Sequence, residues 1–304
     1  MTSILTNNSA MAALQTLRGI SSNLQSTQQA VSSGLRISKA SDNAAYWSIA
    51  TSMKSDNSAL GAVSDALGLG AAKVDTASTA VTSAIDIVGQ IKDKLVTAME
   101  PSVDKSSVQQ EIGQLQQQLQ SVAQSASFNG ENWVMAQSGA SASVVSSFIR
   151  GTNGTVSVSS QAYSFDTGAT GNVLFGAKAS GGIDTTSGIL GTKDSTAKAS
   201  VFSLNITGMT SGQLSSALNM VQTALNSMTS LGSKLGSISS RIDLQTSFAS
   251  SLSNSIQSGV GKLVDANMEQ ESSKLSALQT QQQLAIQSLS IANSSNQSIL
   301  SLFR

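Results

Sequence analysis

The sequence predicts a mainly α protein, a long antiparallel helical bundle or coiled coil formed by its N- and C-terminal segments together, with a small β-rich central insert. Three observations predict it. Apolar residues recur at alternating spacings of three and four in the first and last thirds of the chain, the single proline (Pro101) falls at the end of the longest such run, and residues 136–207 change to glycine-rich, alternating runs.

The elements follow in order. Near the N-terminus Leu17, Leu24 and Val31 fall seven residues apart, flanked by Met11, Leu14 and Leu35, which predicts an amphipathic helix. The strongest seam then runs from Leu60 through Val63, Leu67, Gly70, Val74 and Ala77, and on through Val81, Ala84, Val88, Ile91, Leu95 and Ala98 without a miss. Such a helix is about 60 Å long at 1.5 Å per residue. Pro101 closes it, because proline cannot donate to the helical ladder. A second helix carries Val108, Ile112, Leu115, Leu119, Val122 and Ala126 and stops at the Asn129–Gly130 turn signal.

From 136 to 207 the runs TVSVSS, YSFD, NVLF and FSLNI, separated by glycines, predict short strands joined by turns. Few large apolar residues lie there, so the insert is expected to rest on the helical body as a small β element. The third seam is Leu214, Leu218, Val221, Leu225 and Met228, which slips one residue of phase before Leu231, Leu235, Ile238 and Ile242, and continues through Ala249, Leu252 and Ile256. A last seam comprises Leu275, Leu278, Gln282, Ala285, Leu289, Ala292, Asn296, Ile299 and Phe303. Between Lys274 and Arg304 nothing is ionisable. That stretch reads either as a polar disordered tail or as a helix ordered when other copies bury its apolar face.

Composition removes most chemistry. The chain has no Cys and no His, hence no disulfide, no thiolate or imidazole ligand, and neither the usual nucleophile nor the usual general base. Serine is so frequent that any Ser–Lys spacing is expected by chance. Lys plus Arg equal Asp plus Glu at 17 each, which leaves no field for nucleic acid. GLGAAK at 68–73 lacks the spacing of a phosphate-binding loop and sits inside the helical seam. Asp42 and Asp56, like Glu269 and Glu271, read as solvated helical charges. No catalytic, metal or cofactor site is therefore expected. No basic leader precedes Arg18 and no run approaches the length of a membrane span, so neither a cleaved signal nor membrane insertion is expected.

One segment carries more than pattern. SSGLRISKASDNAAYWSIATSMKSD at 32–56 closely resembles the N-terminal signature of bacterial flagellins. ILTNNSAMAALQTL at 4–17, SFNGENW at 127–133, LGSISSRID at 235–243 and the ending from VDANMEQ at 264 follow in flagellin order. The resemblance covers about 1–135 and 210–304 and is closest to short alphaproteobacterial flagellins of rhizobial type.

The resemblance implies a secreted structural subunit of the extracellular flagellum that polymerises with itself, or with other flagellins, into the filament of swimming motility. It implies three layers: residues 1–43 with 264–304 as an inner terminal coiled coil, 44–135 with 208–263 as a helical outer tube, and 136–207 as a surface-exposed variable insert. The inner coiled coil would be built by Met11, Leu14, Leu17, Leu24, Val31, Leu275, Leu278, Leu289, Ile299 and Phe303, and would fold on assembly. Arg36, Ile37, Ala40, Asp42, Ala44, Ala45 and Ile49 match the family motif that links the two helical layers. Implied partners are the flagellar cap and hook-associated proteins, the type III export apparatus and host innate receptors. Receptor recognition is expected to be weak, because Ser41, Asn43 and Tyr46 depart from the plant-sensed epitope. Gln90 and Lys94 depart from the Arg and Leu used by the vertebrate receptor. A hook–filament junction protein and a secreted enzyme with the insert as its active domain are the alternatives.

Overall fold

The computed structural model describes the backbone of residues 6–151, 153 and 155–301, and the side chains of those up to Ser294. Five helices dominate: α1 Asn8–Ser33, α2 Ala44–Thr97, α3 Lys105–Ser125, α4 Ser211–Val264 and α5 Met268–Ser301. Seven strands lie between α3 and α4: β1 Ser127–Phe128, β2 Glu131–Asn132, β3 Met135–Ala136, β4 Ser141–Arg150, β5 Val156–Ser164, β6 Phe175–Ala177 and β7 Ile183–Asp184. The mainly α architecture with a small strand-bearing insert is the one the periodicity predicts.

Helix ends are set by local chemistry. Asp104 starts α3 by accepting from the amides of Ser106 (3.0 Å) and Ser107 (3.3 Å). Thr210 and Gln213 form a reciprocal cap at the start of α4: Gln213 Oε1 accepts from the Thr210 amide at 2.8 Å, and the Gln213 amide donates back to Thr210 Oγ1 at 3.4 Å. Gly34 ends α1 in the left-handed region, φ 71°, its amide donating to the Ala30 carbonyl.

The chain divides into two compact units, Met1–Ser58 with Ser253–Arg304, and Ala59–Leu252. In the second unit every position of the strong seam from Leu60 to Ala98 is buried. Leu67, Val74, Val88, Ile91 and Leu95 have no exposed surface at all. Each such side chain contributes about 1.5–3 kcal/mol by leaving water. They share one core with Ile112 and Leu119 of α3 and with Leu214, Val221, Met228, Leu231 and Leu235 of α4. The phase slip before Leu231 thus lies inside a continuous helix whose seam stays buried across it.

The insert differs from the sequence expectation in three of its four predicted strand runs. FSLNI forms no strand, because α3 claims its backbone: Gln109 accepts from the Ile206 amide at 2.8 Å, and Gln116 donates to the carbonyls of Val201 (3.0 Å) and Leu204 (3.1 Å). YSFD contributes only Tyr163 and Ser164 to β5, and of NVLF only Phe175 enters a strand. TVSVSS lies mostly in β5, which pairs antiparallel with β4 from Ser141↔Ser164 to Arg150↔Val156 with an irregularity between Val145 and Ser147. Val173, Leu174, Phe175 and Leu190 join the helical core, so residues 136–207 do not separate as a unit of their own.

Candidate functional site

The first unit holds most of the residues that the sequence singles out, all but Gln90 and Lys94. Its centre is a clasp between the turn after α1 and the end of α4. The amides of Arg36 and Ile37 both donate to the Val264 carbonyl, at 2.7 and 3.2 Å. The Ala266 amide donates to the Gly34 carbonyl at 2.9 Å, and Leu35 bridges Asp265. Arg36 adds its guanidinium to the Leu263 carbonyl at 2.9 Å. Beneath the clasp Ile37, Ala50, Val260 and Val264 form a small buried cluster, with Leu35, Met53, Ile256 and Leu263 packed on it.

Asp42 locks the following turn. One of its carboxylate oxygens accepts from the Ser38 amide (3.0 Å), the Ser38 hydroxyl (3.2 Å) and the Lys39 amide (3.1 Å). The Ser38 amide, chief among these donors, holds the carboxyl below the ordinary carboxylate range. Asn43 then caps α2 by accepting from the Tyr46 amide at 3.1 Å. Asp42 is thus exposed but engaged through one oxygen, not the loose surface charge its spacing suggests. Ala40, Ala44, Ala45 and Ile49 of the same motif face solvent, Ile49 at 50% exposure.

Either side of the clasp, α1 and α5 run antiparallel. Their far ends meet where the Asn7 side-chain amide donates to the Ala292 carbonyl at 3.0 Å. On α1 Ala10, Ala13, Leu17, Ile20, Leu24, Thr27 and Val31 are shielded, again at three-four spacing, and on α5 so are Glu271, Leu275, Leu278, Gln282, Ala285, Leu289 and Ala292. Met11 (57% exposed) and Leu14 point away from this seam, as do Leu284, Ile286 and Ile291 (69%). Ile299, Asn296 and Phe303 lie outside the described side chains. Counting by sevens finds Leu17, Leu24 and Val31 but skips Ile20. Thr27, 1% exposed, gives no apolar signal at all. Nor does sequence spacing flag Glu271, only 18% exposed on its side chain, whose buried Oε2 lies 3.7 Å from Lys274 and makes no hydrogen bond.

In the second unit Gln90 is exposed, and Lys94 pairs with Glu111 of α3 at 2.5 Å. Ser41, Asn43 and Tyr46 are solvent-facing. Among the described residues no group of three or more acidic side chains is placed to hold a metal, and no helix is long and apolar enough to cross a membrane.

Residues 4–138 match the family model of the bacterial flagellin N-terminal helical region, and residues 218–303 that of the bacterial flagellin C-terminal helical region. Flagellin A of Rhizobium meliloti is 45% identical over 395 aligned positions that cover both chains completely. Flagellin C of Rhizobium meliloti (strain 1021) is 48% identical over 324 positions, and a flagellin of Brucella melitensis biotype 1 is 47% identical over 305, again with full coverage of both chains.

Proposed function

The chain belongs to the bacterial flagellin family, and from that premise we propose how it serves as the structural subunit of the extracellular flagellar filament. The observation that carries the reading is the α1–α5 pair. Its inner seam is satisfied within one chain while Met11, Leu14, Leu284, Ile286 and Ile291 remain outside it. Apolar side chains on both helices, away from their shared seam, are suited to burial by further copies. In this reading residues 1–43 with 264–304 form the inner coiled coil of the filament, residues 44–135 with 208–263 surround it, and 136–207 lie outermost. Arg36, Ile37 and Asp42 fix the turn between the inner and outer helices, which makes packing itself the function; no catalysis is assigned. Export through the flagellar type III apparatus, assembly under the cap protein and attachment to hook-associated proteins belong to the same proposal. A hook–filament junction role is disfavoured, since the full-length relatives are flagellins.

Purified protein seeded with sheared filaments and viewed by electron microscopy tests this. The native chain grows long filaments, and a variant with Leu284, Ile286 and Ile291 changed to Ser stays helical by circular dichroism but does not elongate. Soluble native monomers in the presence of seeds overturn the reading. Host recognition is proposed to be weak: Gln90 lacks a guanidinium fork, and Lys94 is held by Glu111 where the resemblance places a packed Leu. A strong response of a receptor reporter to purified monomer refutes that part alone.

A further inference from the structure

The α1–α5 pair leaves open how the second unit meets its neighbours. On α4, Lys234, Ser237, Arg241, Leu244 and Phe248 are all exposed at three-four spacing, within an arc of about 80° at 100° per residue. Leu244 and Phe248 are 73% and 60% exposed, a large apolar pair with nothing over it. On α2 a second outward stripe comprises Asp75, Thr79, Asp86, Gln90 and Asp93, also exposed and within a similar arc of about 60°. Beside this stripe α2 and α3 form an open trough floored by Ala80, Ser83, Val122 and Ala126, with Thr79 on its rim.

The two stripes match at one register. Lys234 and Arg241 are seven residues apart, as are Asp86 and Asp93, so both pairs are separated by about 10 Å along their axes. Running α4 antiparallel to α2 with Lys234 at Asp93 puts Arg241 at Asp86 and Ser237 at Gln90. The same register, with no further adjustment, sets Leu244 at Ser83 and Phe248 at Thr79, over the trough. Charge spacing and apolar placement therefore give one answer independently.

A single chain cannot satisfy this register. Within the chain Lys92 reaches Gln222 (2.8 Å) and Gly232 lies opposite Val81, so Lys234 stands near the level of Ala80, some 20 Å short of Asp93 at 1.5 Å per residue. We infer that the α4 stripe of one copy docks on the α2–α3 trough of a second copy displaced by about that distance along the helices. Because α2 and α4 are antiparallel in both pairings, the two copies point the same way. The contact is heterologous and leaves a free stripe and a free trough at each end, so it propagates. Among the described residues Asp86, Asp93 and Lys234 make no ion pair, while Arg241 spends one nitrogen on Gln161 at 2.9 Å and keeps the rest of its fork.

This inference rests on the filament-subunit reading, and charge exchange in the full-length chain separates the two. K234E/R241E and D86K/D93K each slow seeded elongation at least tenfold with the far-UV dichroism unchanged, and the four-site exchange carrying both returns the rate to within threefold of native. Because the chain has no Cys, S237C/Q90C gives an unambiguous second readout: oxidised filaments yield a ladder of disulfide-linked oligomers, and S237C/D75C, out of register, yields none. The inference is overturned if the exchange grows no faster than the poorer of its two parents, or if the in-register cysteines give no ladder while native filaments grow normally. Failure of native protein to elongate is instead failure of the filament reading.

Discussion

Gly68 and Gly70 sit two residues apart in α2 and make a matched test of the packing. A Cβ added at Gly68 meets nothing within 4 Å, so Gly68→Ala stabilises by about 1 kcal/mol, the helix-propensity difference between the two residues. A Cβ added at Gly70 falls 2.4 Å from Val144 Cγ1, on the buried side chain of β4 that closes over α2. Valine has few rotamers to escape into, and displacing it opens the β4–β5 hairpin from the helix. Overpacking of this kind costs about 1–3 kcal/mol, which cancels or exceeds the same propensity gain of about 1 kcal/mol. Urea denaturation of the monomer followed by circular dichroism therefore places Gly70→Ala roughly 1–3 kcal/mol below Gly68→Ala. Adding Val144→Ala to Gly70→Ala makes room for the methyl, so the double variant loses less than the sum of its parts. Equal stability of the two alanine variants refutes the close approach of β4 to α2.

Three further outcomes follow from the clasp and its helices. Thr27 buries a hydroxyl with no partner among the described residues, so Thr27→Val, which keeps the shape, raises the unfolding free energy by roughly 1 kcal/mol in chemical denaturation. The Asp42 carboxyl titrates below its unfolded value of 3.8, so its contribution to the turn is present above pH 3.8 and is lost as pH falls through the lower folded value. The Ser38 and Lys39 amide resonances should titrate together in that acid window, and Asp42→Asn should remove the titration. Ile37→Ala empties the centre of a cluster of only four buried residues, which costs about 2–5 kcal/mol and accelerates hydrogen exchange at Ala266 before it does so in α3.

The helices were legible because their signal is repeated. A seam of eleven three-four steps leaves no other period, and all twelve of its positions, from Leu60 in α2 to Ala98 just past its end, are buried. The insert was legible only as a class. NVLF alternates poorly and is buried on both sides, so its apolar run marks core rather than strand, and the fate of FSLNI was decided by two glutamine side chains on a helix some ninety residues earlier. Asp42 shows the same limit at the clasp. Its spacing suggests a surface charge, but whether an exposed carboxylate is idle or locks a turn depends on where two backbone amides point.

Gln282 is where the reading of the charge-free C-terminus sharpens most. If residues 275–303 line a central channel in the proposed filament, their neutrality would neither hold nor repel passing charge, and Gln282 is a candidate to face that channel. In the structure Gln282 shares the shielded face of α5 with Leu278 and Ala285, turned toward α1, while Leu284, Ile286 and Ile291 face outward. A charge at 282 would then act first on the helix pair, since a carboxylate or ammonium placed in a half-buried seam without a partner is penalised by desolvation. Gln282→Lys is therefore expected to lower the helicity of the monomer before any filament is made, whereas Gln283→Lys, on the exposed face, leaves the monomer unchanged. Circular dichroism of the two unassembled variants decides the matter, and equal helicity would return Gln282 to the lining. The absence of charge on this segment has two separate physical grounds, one for each face of α5: on the inner face a charge breaks the pairing with α1, and only on the outer face is it free to act on what surrounds the helix.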